Sequence, residues 1–157
     1  MTQDQTAASK DERELITFFV GEQEFCMDIM LVREIRGWTN ATPLPHAPGD
    51  VLGVMNLRGA VVPIVDLSAR LGFGICETQE RNVIVIAAIG GQTVGLLVSS
   101  VSDIVGVGRD EVQPLPQISE AQAGAFVEGI IATQNRTLRV LSVDAIGTRF
   151  MEERAAG

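Results

Sequence analysis

The sequence contains few of the side chains on which catalysis depends: no tyrosine, a single histidine and two cysteines among 157 residues. The histidine, His46, stands in a proline-rich segment without an identifiable partner that would position it as a general base. Metal-ligand spacings, glycine-rich phosphate loops and nucleophile motifs do not occur in the sequence either. These absences predict a protein that is not an enzyme and that binds no metal or cofactor.

Basic residues are also scarce, because 12 lysine and arginine side chains face 20 acidic ones and leave a formal charge of −8. A nucleic-acid-binding protein needs clustered Lys and Arg to displace counterions from phosphates, and the sequence has no such cluster. The same sign of charge disfavours docking on anionic lipid. We therefore expect neither nucleic acid nor a membrane as a direct partner.

The two cysteines, Cys26 and Cys76, have no CxxC spacing, and no secretory leader is recognisable before them. Cys26 stands between Phe25 and Met27, where a small core hydrophobe is expected. Both thiols are expected to stay reduced, which fits a cytoplasmic protein.

One long stretch lacks formal charge: residues 82–102, whose 21 residues nominally suffice to span a bilayer. Its centre is Gly90-Gly91-Gln92-Thr93, a turn-forming cluster flanked by β-branched residues. This pattern predicts two buried strands joined by a hairpin instead of a membrane helix.

The sequence also repeats itself, with several landmarks recurring in the same order. The matches are 19–23 with 88–92 and 32–35 with 101–104 at an offset of 69, 43–45 with 114–116 at 71, 53–54 with 129–130 at 76, and 65–66 with 143–144 at 78. The growing offset suggests two related subdomains with extra residues in the loops of the second. Chance similarity between two halves rich in Val, Ile and Gly is the alternative.

Short apolar segments between glycine turns predict strands. Residues 15–20 and 25–28 flank Gly21, residues 83–89 and 94–98 flank Gly90-Gly91, and residues 50–57 and 60–66 form a further hairpin around Arg58-Gly59. Asp28 is expected to cap one helical turn, and Gly72 to end a short helix near residues 67–71. Pro63 predicts an edge strand or a bulge.

This combination of many short strands and little helix predicts a mainly β fold of small barrels, and the repeat predicts two of them. Residues 14–150 are expected to form the folded domain, with the repeat boundary near residues 75–82. Residues 1–13 are polar and patternless, which predicts a disordered N-terminal tail, and residues 151–157 are expected to be a frayed C-terminal tail.

Residues 28–37, DIMLVREIRG, closely resemble the first signature of CheW-type chemotaxis coupling proteins, and residues 53–67, GVMNLRGAVVPIVDL, resemble the second. With residues 101–104, these segments cover both halves, so the resemblance extends over roughly residues 14–150. It implies two five-stranded, SH3-like barrels related by a pseudo-twofold axis.

The resemblance further implies a non-catalytic adaptor that couples the cytoplasmic tip of a chemoreceptor to the regulatory domain of a CheA-type histidine kinase. Such a protein would be cytoplasmic, at the inner face of the membrane through receptor arrays. Two alternatives stay open: a small β-barrel enzyme or ligand-binding protein with a pocket around Cys76 and His46, and a paralogous adaptor for a non-chemotaxis kinase pathway. Trp38, Pro45 and Pro48 depart modestly from the family pattern and leave partner choice open.

The receptor-binding residues that the resemblance implies are Val32, Glu34, Gly53, Arg58, Val83 and Val101. For the three valines the alternative is core packing, and for Glu34 it is a solvated charge. Gly53 either lets a partner helix come close or serves as a bulge or positive-φ position. Ile35 is expected in the core.

The kinase-binding residues that the resemblance implies lie in two proline-containing segments. They are Gln113, Leu115 and Ile118 in the second half and, through the internal repeat, Thr42 and Leu44 in the first. Plain connecting loops are the alternative for both segments.

Arg58 stands in a predicted turn, where side chains are exposed, and a core role does not explain it. Its planar guanidinium suits forked hydrogen bonds to a partner's carbonyl or carboxylate oxygens. A solvated turn charge and an internal pair with Glu34 are the alternatives.

Overall fold

Strands make up most of the structure, a computed structural model that describes residues 12–76, 80–115, 126–133 and 135–146. The strands are β1 (Glu12–Val20), β2 (Gln23–Asp28), β3 (Val32–Gly37), β4 (Val51–Leu57), β5 (Ala60–Asp66), β6 (Val83–Ile89), β7 (Gln92–Val98), β8 (Ser100–Gly108), β9 (Val127–Ala132) and β10 (Thr137–Leu141). Helical structure in the described ranges comprises α1 (Leu67–Arg70), 3-10 turns at Ile29–Leu31 and Arg109–Glu111, and residues 143–146. β1 begins two residues before the boundary expected at 14.

The ten strands form two five-stranded sheets, and each sheet takes strands from both halves of the chain. The first, called barrel one, has the order β8-β1-β2-β10-β9, and the second, called barrel two, has the order β3-β6-β7-β5-β4. The expected mainly β architecture is confirmed. Because each sheet contains strands from both halves, the two halves of the sequence repeat do not correspond to the two sheets.

The exchange of strands is symmetric under the internal repeat. It relates β1 and β2 to β6 and β7, and it relates β3, β4 and β5 to β8, β9 and β10. Under this correspondence the two strand orders are identical. Even the parallel pairs match, since β2 pairs with β10 and β5 pairs with β7.

Apolar side chains occupy three regions. Each barrel has its own core: Leu15, Cys26, Ile131, Leu138 and Val140 lie in barrel one, and Met55, Val62, Ile64, Ile84 and Ile86 lie in barrel two. A larger inter-barrel cluster packs residues of β1 and β2, such as Phe18 and Phe25, with residues of β6 and β7, such as Val85 and Leu96. The four strands β1, β2, β6 and β7 are consequently buried on both faces.

Burial on both faces explains the charge-free stretch of residues 82–102. Along β6, Ile84 and Ile86 face the core of barrel two, whereas Val85 and Ala87 face the inter-barrel cluster, so none of these four positions suits a charge. The predicted hairpin is confirmed as β6 and β7. In the described part of the chain, no helix has both the length and the apolar character to cross a membrane.

Local capping signals operate as expected in the first half. The Asp28 carboxylate accepts the N–H of Met30 at 2.9 Å and begins the 3-10 turn. The buried Asp66 carboxylate accepts the N–H groups of Ser68 and Ala69 and begins α1. Both caps satisfy donors that a helix start leaves unpaired.

Pro63 lies where β5 has a single neighbour. β5 pairs with β7 only over Ile64–Asp66, so Pro63 pairs with Val54 of β4 alone, as expected for a residue that has no N–H to donate. One match of the sequence repeat was wrong. Asp144 is not the counterpart of Asp66, because the registers relate Ile64 to Val140 and keep the offset at 76. Ser142 takes that place, and its hydroxyl accepts the N–H of Ala145.

Candidate functional site

An ion pair joins two of the residues expected to bind a receptor. Nη2 of Arg58 lies 2.7 Å from Oε1 of Glu34, and Nη1 of Arg36 lies 3.0 Å from the other carboxylate oxygen. These two arginines, Arg58 first, hold the pKa of Glu34 below its usual value. The pair links β3, one edge strand of the sheet of barrel two, with the turn that follows β4, the other edge strand. The internal pair that the sequence analysis gave as an alternative is therefore present.

The backbone of Arg58 is unusual for its residue type. Its φ is 52° and that of Gly59 is 89°, so the hairpin has positive φ at both central positions, as in type I′ turns. Asn or Gly normally occupies the first of these positions, because a Cβ there approaches the carbonyl oxygen. The Arg58 side chain is nevertheless 69% exposed. Turn formation alone does not account for an arginine here.

Barrel one has a corresponding but more extensive network. Asp103, the repeat equivalent of Glu34, accepts hydrogen bonds from the hydroxyl of the buried Thr17 at 2.6 Å and from Nη2 of Arg136 at 3.0 Å. Arg136 also bonds Glu24 across 2.5 Å. The guanidinium of Arg136 and the Thr17 hydroxyl lower the pKa of Asp103.

The three valines of the expected receptor site all lie at the margins of the inter-barrel cluster. Val32, Val83 and Val101 are each partly buried against it. Antiparallel residues directly opposite each other share a face of the sheet. Val32 opposes Ala87, which belongs to the cluster, whereas Glu34 opposes Ile86, which belongs to the core of barrel two. The site residues therefore form two groups, the valines and the ion pair.

Sequence reasoning missed exposed apolar residues beside the valines. Ile35 was expected in the core, but it is 46% exposed, because β3 is an edge strand. Its repeat equivalent on edge strand β8, Ile104, is 55% exposed. Both oppose residues of the inter-barrel cluster, Val85 and Ile16. The repeat relates these isoleucines in the sequence, but their exposure depends on a strand order that the sequence alone did not reveal.

Gly53 is buried, and the protein's own chain fills the space in front of it. A Cβ there would collide with the carbonyl of Thr42, at 2.6 Å from its carbon, and would stand 3.0 Å from Cα of Pro43. The φ of Gly53, 145°, also favours glycine. Close approach by Thr42 thus requires glycine here, whether or not a partner helix comes near.

The two segments expected to bind the kinase make equivalent contacts. Thr42 forms an isolated β-bridge with Val54, and Gln113 forms one with Ile130. Each bridge joins the chain that leaves one edge strand to the opposite edge strand, and so closes its barrel. Leu44 is 47% exposed and Leu115 is half-buried, whereas Ile118 lies outside the described residues.

The pocket considered around Cys76 and His46 gains no support from the geometry. Cys76 is half-buried against the core of barrel two, and His46 is exposed. Burial raises the pKa of the Cys26 thiol to about 12, so this side chain packs as a hydrophobe. In the described ranges neither cysteine forms a disulfide, and no group of three or more His, Cys, Asp or Glu is placed to hold a metal ion.

Residues 14–150 match the family model described as CheW-like domain. The chemotaxis protein CheW of Rhizobium meliloti is 53% identical over 134 residues, which cover 85% of this chain and 86% of that protein. The probable chemotaxis protein CheW of Rhizobium etli is 47% identical over 147 residues, 94% and 95% of the two chains. Among solved structures, the scaffolding protein TtCheW from Thermoanaerobacter tengcongensis has a TM-score of 0.76 and 29% identity, covering 82% of this chain and 88% of that one.

Proposed function

The chain belongs to the family of CheW-like domains, a family of non-catalytic scaffold and adaptor proteins, and on this premise we propose that it couples chemoreceptor tips to a CheA-type histidine kinase. The observation that carries the proposal is the match over residues 14–150, which includes both barrels. The protein would work on the cytoplasmic side, within receptor arrays.

The receptor contact is proposed to combine the two groups of site residues. Val32, Val83 and Val101 border the inter-barrel cluster, and Ile35 and Ile104 expose apolar surface beside them. Exposed apolar side chains of this kind suit the apolar face of a helical hairpin, which docks through side chains spaced along its turns. The Glu34–Arg58 pair would add polar contacts that fix the orientation.

Arg58 supports this assignment through its backbone. A non-glycine residue at positive φ costs about 1–2 kcal/mol relative to an extended or helical conformation. The side chain returns little of this cost to the fold, because an ion pair between exposed side chains contributes little to stability. A contact with a partner would explain why arginine occupies this turn.

The kinase contact is proposed to involve Thr42 and Leu44 on barrel two and Gln113 and Leu115 on barrel one. Ile118, which lies outside the described residues, is proposed to belong to the same contact as Gln113 and Leu115. The two equivalent bridges hold the first residue of each segment against the barrel. Backbone that is already ordered loses less conformational entropy on binding than a flexible loop does. One kinase contact on each barrel would let a single adaptor join two regulatory domains.

A reconstitution experiment tests the adaptor function. A receptor cytoplasmic fragment is immobilised, and a CheA-type kinase is added with and without this protein. We expect retention of the kinase to increase strongly when the protein is present, because a coupling protein must bind both partners at once. A Glu34→Lys variant, which reverses the charge next to Arg58, serves as a binding-deficient control for the receptor side.

Three results would contradict the proposal in different ways. Failure to bind either partner, together with saturable binding of a metabolite, would favour the ligand-binding alternative. Binding of the receptor but not of the CheA-type kinase would favour a paralogous adaptor for another kinase. Kinase retention that does not depend on this protein would remove the coupling role.

A further inference from the structure

We infer that Gly53 and Gly129 are positioning residues for the two candidate kinase-binding segments, because each lets the chain that leaves an edge strand close onto the opposite edge. The inference rests on the proposed kinase contact and assigns Gly53 a role different from a direct receptor contact. It requires that the two glycines be equivalent, that a side chain be excluded at both, and that the segments depend on them.

The two glycines are equivalent by register. Both lie in the last strand of their sheets, β4 and β9, separated by the offset of 76 that the parallel strand pairs define. Gly53 immediately precedes Val54, the bridge partner of Thr42, and Gly129 immediately precedes Ile130, the bridge partner of Gln113. The same arrangement therefore occurs once in each barrel.

A side chain is excluded at both positions by the chain that crosses there. At Gly53 a Cβ would overlap the backbone carbonyl of Thr42. At Gly129 a Cβ would stand 2.9 Å from the carbonyl oxygen of Gln113 and 2.5 Å from a methyl group of Val112. Backbone cannot rotate away as a flexible side chain can, so a substitution must displace the crossing segment.

The segments depend on this contact for their position. The N–H of Thr42 donates to the carbonyl of Val54 at 2.8 Å, and the N–H of Val54 donates back to Thr42 at 3.0 Å. Gln113 and Ile130 exchange two hydrogen bonds of 2.8 Å in the same way. Each bridge is isolated, so no neighbouring ladder bond would hold the segment if it were displaced.

The equivalence also accounts for one match between the two halves that side-chain chemistry does not explain. Residues 53–54 and residues 129–130 are each a Gly followed by a β-branched residue. Their common requirement is room for a carbonyl in front of the glycine. The prolines that follow, Pro43 and Pro114, restrict the backbone of each segment directly after its bridge residue.

The test compares Gly53→Ala and Gly129→Ala with a matched strand variant, Gly106→Ala. At Gly106 in β8 a Cβ would meet only the Glu12 side chain, which is able to move away. Amide hydrogen exchange of the full-length protein is measured by NMR at the two bridges. Binding to the kinase regulatory domain and to a receptor cytoplasmic fragment is measured separately on the same samples.

Gly53→Ala should accelerate exchange of the Thr42 and Val54 amides by at least about tenfold while Gln113 and Ile130 stay protected, and Gly129→Ala should do the reverse. Each variant should bind the kinase domain at least about tenfold more weakly at the contact on its own barrel and leave the contact on the other barrel unchanged. Its affinity for the receptor fragment should stay within about twofold of that of the unchanged protein. Gly106→Ala should change none of these quantities. If the glycines were merely structural, the variants would weaken binding of the kinase domain and of the receptor fragment equally.

Unchanged exchange at Thr42 and Val54 in Gly53→Ala would overturn the inference, whatever the binding result. Faster exchange with normal kinase binding, or with loss of receptor binding alone, would overturn it too. If Gly53→Ala does not fold, Val54→Pro removes the hydrogen bond from the Val54 N–H to the Thr42 carbonyl without changing a candidate contact residue or adding an atom at Gly53, and it must reproduce the selective loss of kinase binding. Failure of the proposed function is distinguishable, because the unchanged protein would then bind no kinase.

Discussion

Glu34 and Asp103 occupy equivalent positions on the edge strands of the two barrels, and each binds an arginine from the hairpin on the other side of its barrel. The two arginines differ in burial. Arg58 is 69% exposed and bonds one carboxylate, whereas Arg136 is 31% exposed and bonds Asp103, Glu24 and Thr17. This difference predicts that Arg136 serves the fold and that Arg58 serves binding.

Replacement of Arg58 by alanine should weaken receptor binding without destabilising the protein. We expect a melting temperature within about 2 °C of the unchanged protein and a Kd for the receptor fragment raised at least about fivefold. Arg58→Lys should show a similar loss, because lysine keeps the charge but not the forked geometry. Calorimetry and a titration with the receptor fragment measure both quantities.

Arg109→Ala is the control for Arg58→Ala, since it removes one exposed positive charge from barrel one. A melting temperature of Arg58→Ala well below that of the unchanged protein would show that Arg58 is a structural residue. Normal melting with unchanged receptor affinity would remove Arg58 from the site, while the adaptor function would still stand.

Replacement of Arg136 by alanine should destabilise the fold by about 1–2 kcal/mol, because the change leaves Glu24 and Asp103 without their shared partner. Denaturant unfolding measures this loss directly. Asp103→Asn combined with Arg136→Ala should cost less than the sum of the two single changes, since both remove the same interaction. Additive effects, or a loss no larger than that of Arg58→Ala, would contradict the proposed division between the two arginines.

The stability supplied by Asp103 should depend on pH in a defined direction. Its pKa in the folded protein is lowered below the ordinary 3.8, so the ionised form is favoured by folding. The contribution is therefore fully present well above pH 3.8 and is lost as pH falls below that value. The difference in melting temperature between the unchanged protein and Asp103→Asn should shrink over this range, and a difference that grows on acidification would refute the assignment.

The two cysteines should differ in reactivity. Cys26 is buried and its thiol has a pKa of about 12, so almost no thiolate exists at neutral pH, whereas Cys76 is half-buried. Iodoacetamide should modify one thiol in the native protein and both in denaturant, as counted by mass spectrometry. Cys76→Ser should abolish the native reaction; labelling of Cys26 in that variant under native conditions would contradict the packing of barrel one.

Much of the local structure around the candidate site was predictable, because its signals are local. Asp28 caps the 3-10 turn one residue after it, and Arg58-Gly59 turns a hairpin whose strands are adjacent in sequence. The contact between Arg58 and Glu34 was foreseen only as an alternative. It depends on where strand β3 lies relative to the β4–β5 turn, which no local pattern specifies.

The sequence by itself determined the hairpins, the short helix, the family and the equivalence of the two halves, because turn residues, apolar alternation and caps act over a few positions. Only the tertiary structure decided that β10 pairs with β2 and β5 with β7, so that each barrel mixes both halves. Pairing between distant strands is selected by burial of whole faces, as with the inter-barrel cluster, and that burial exists only once the chain is folded. The same reason places Ile35 at the surface and requires glycine at position 53.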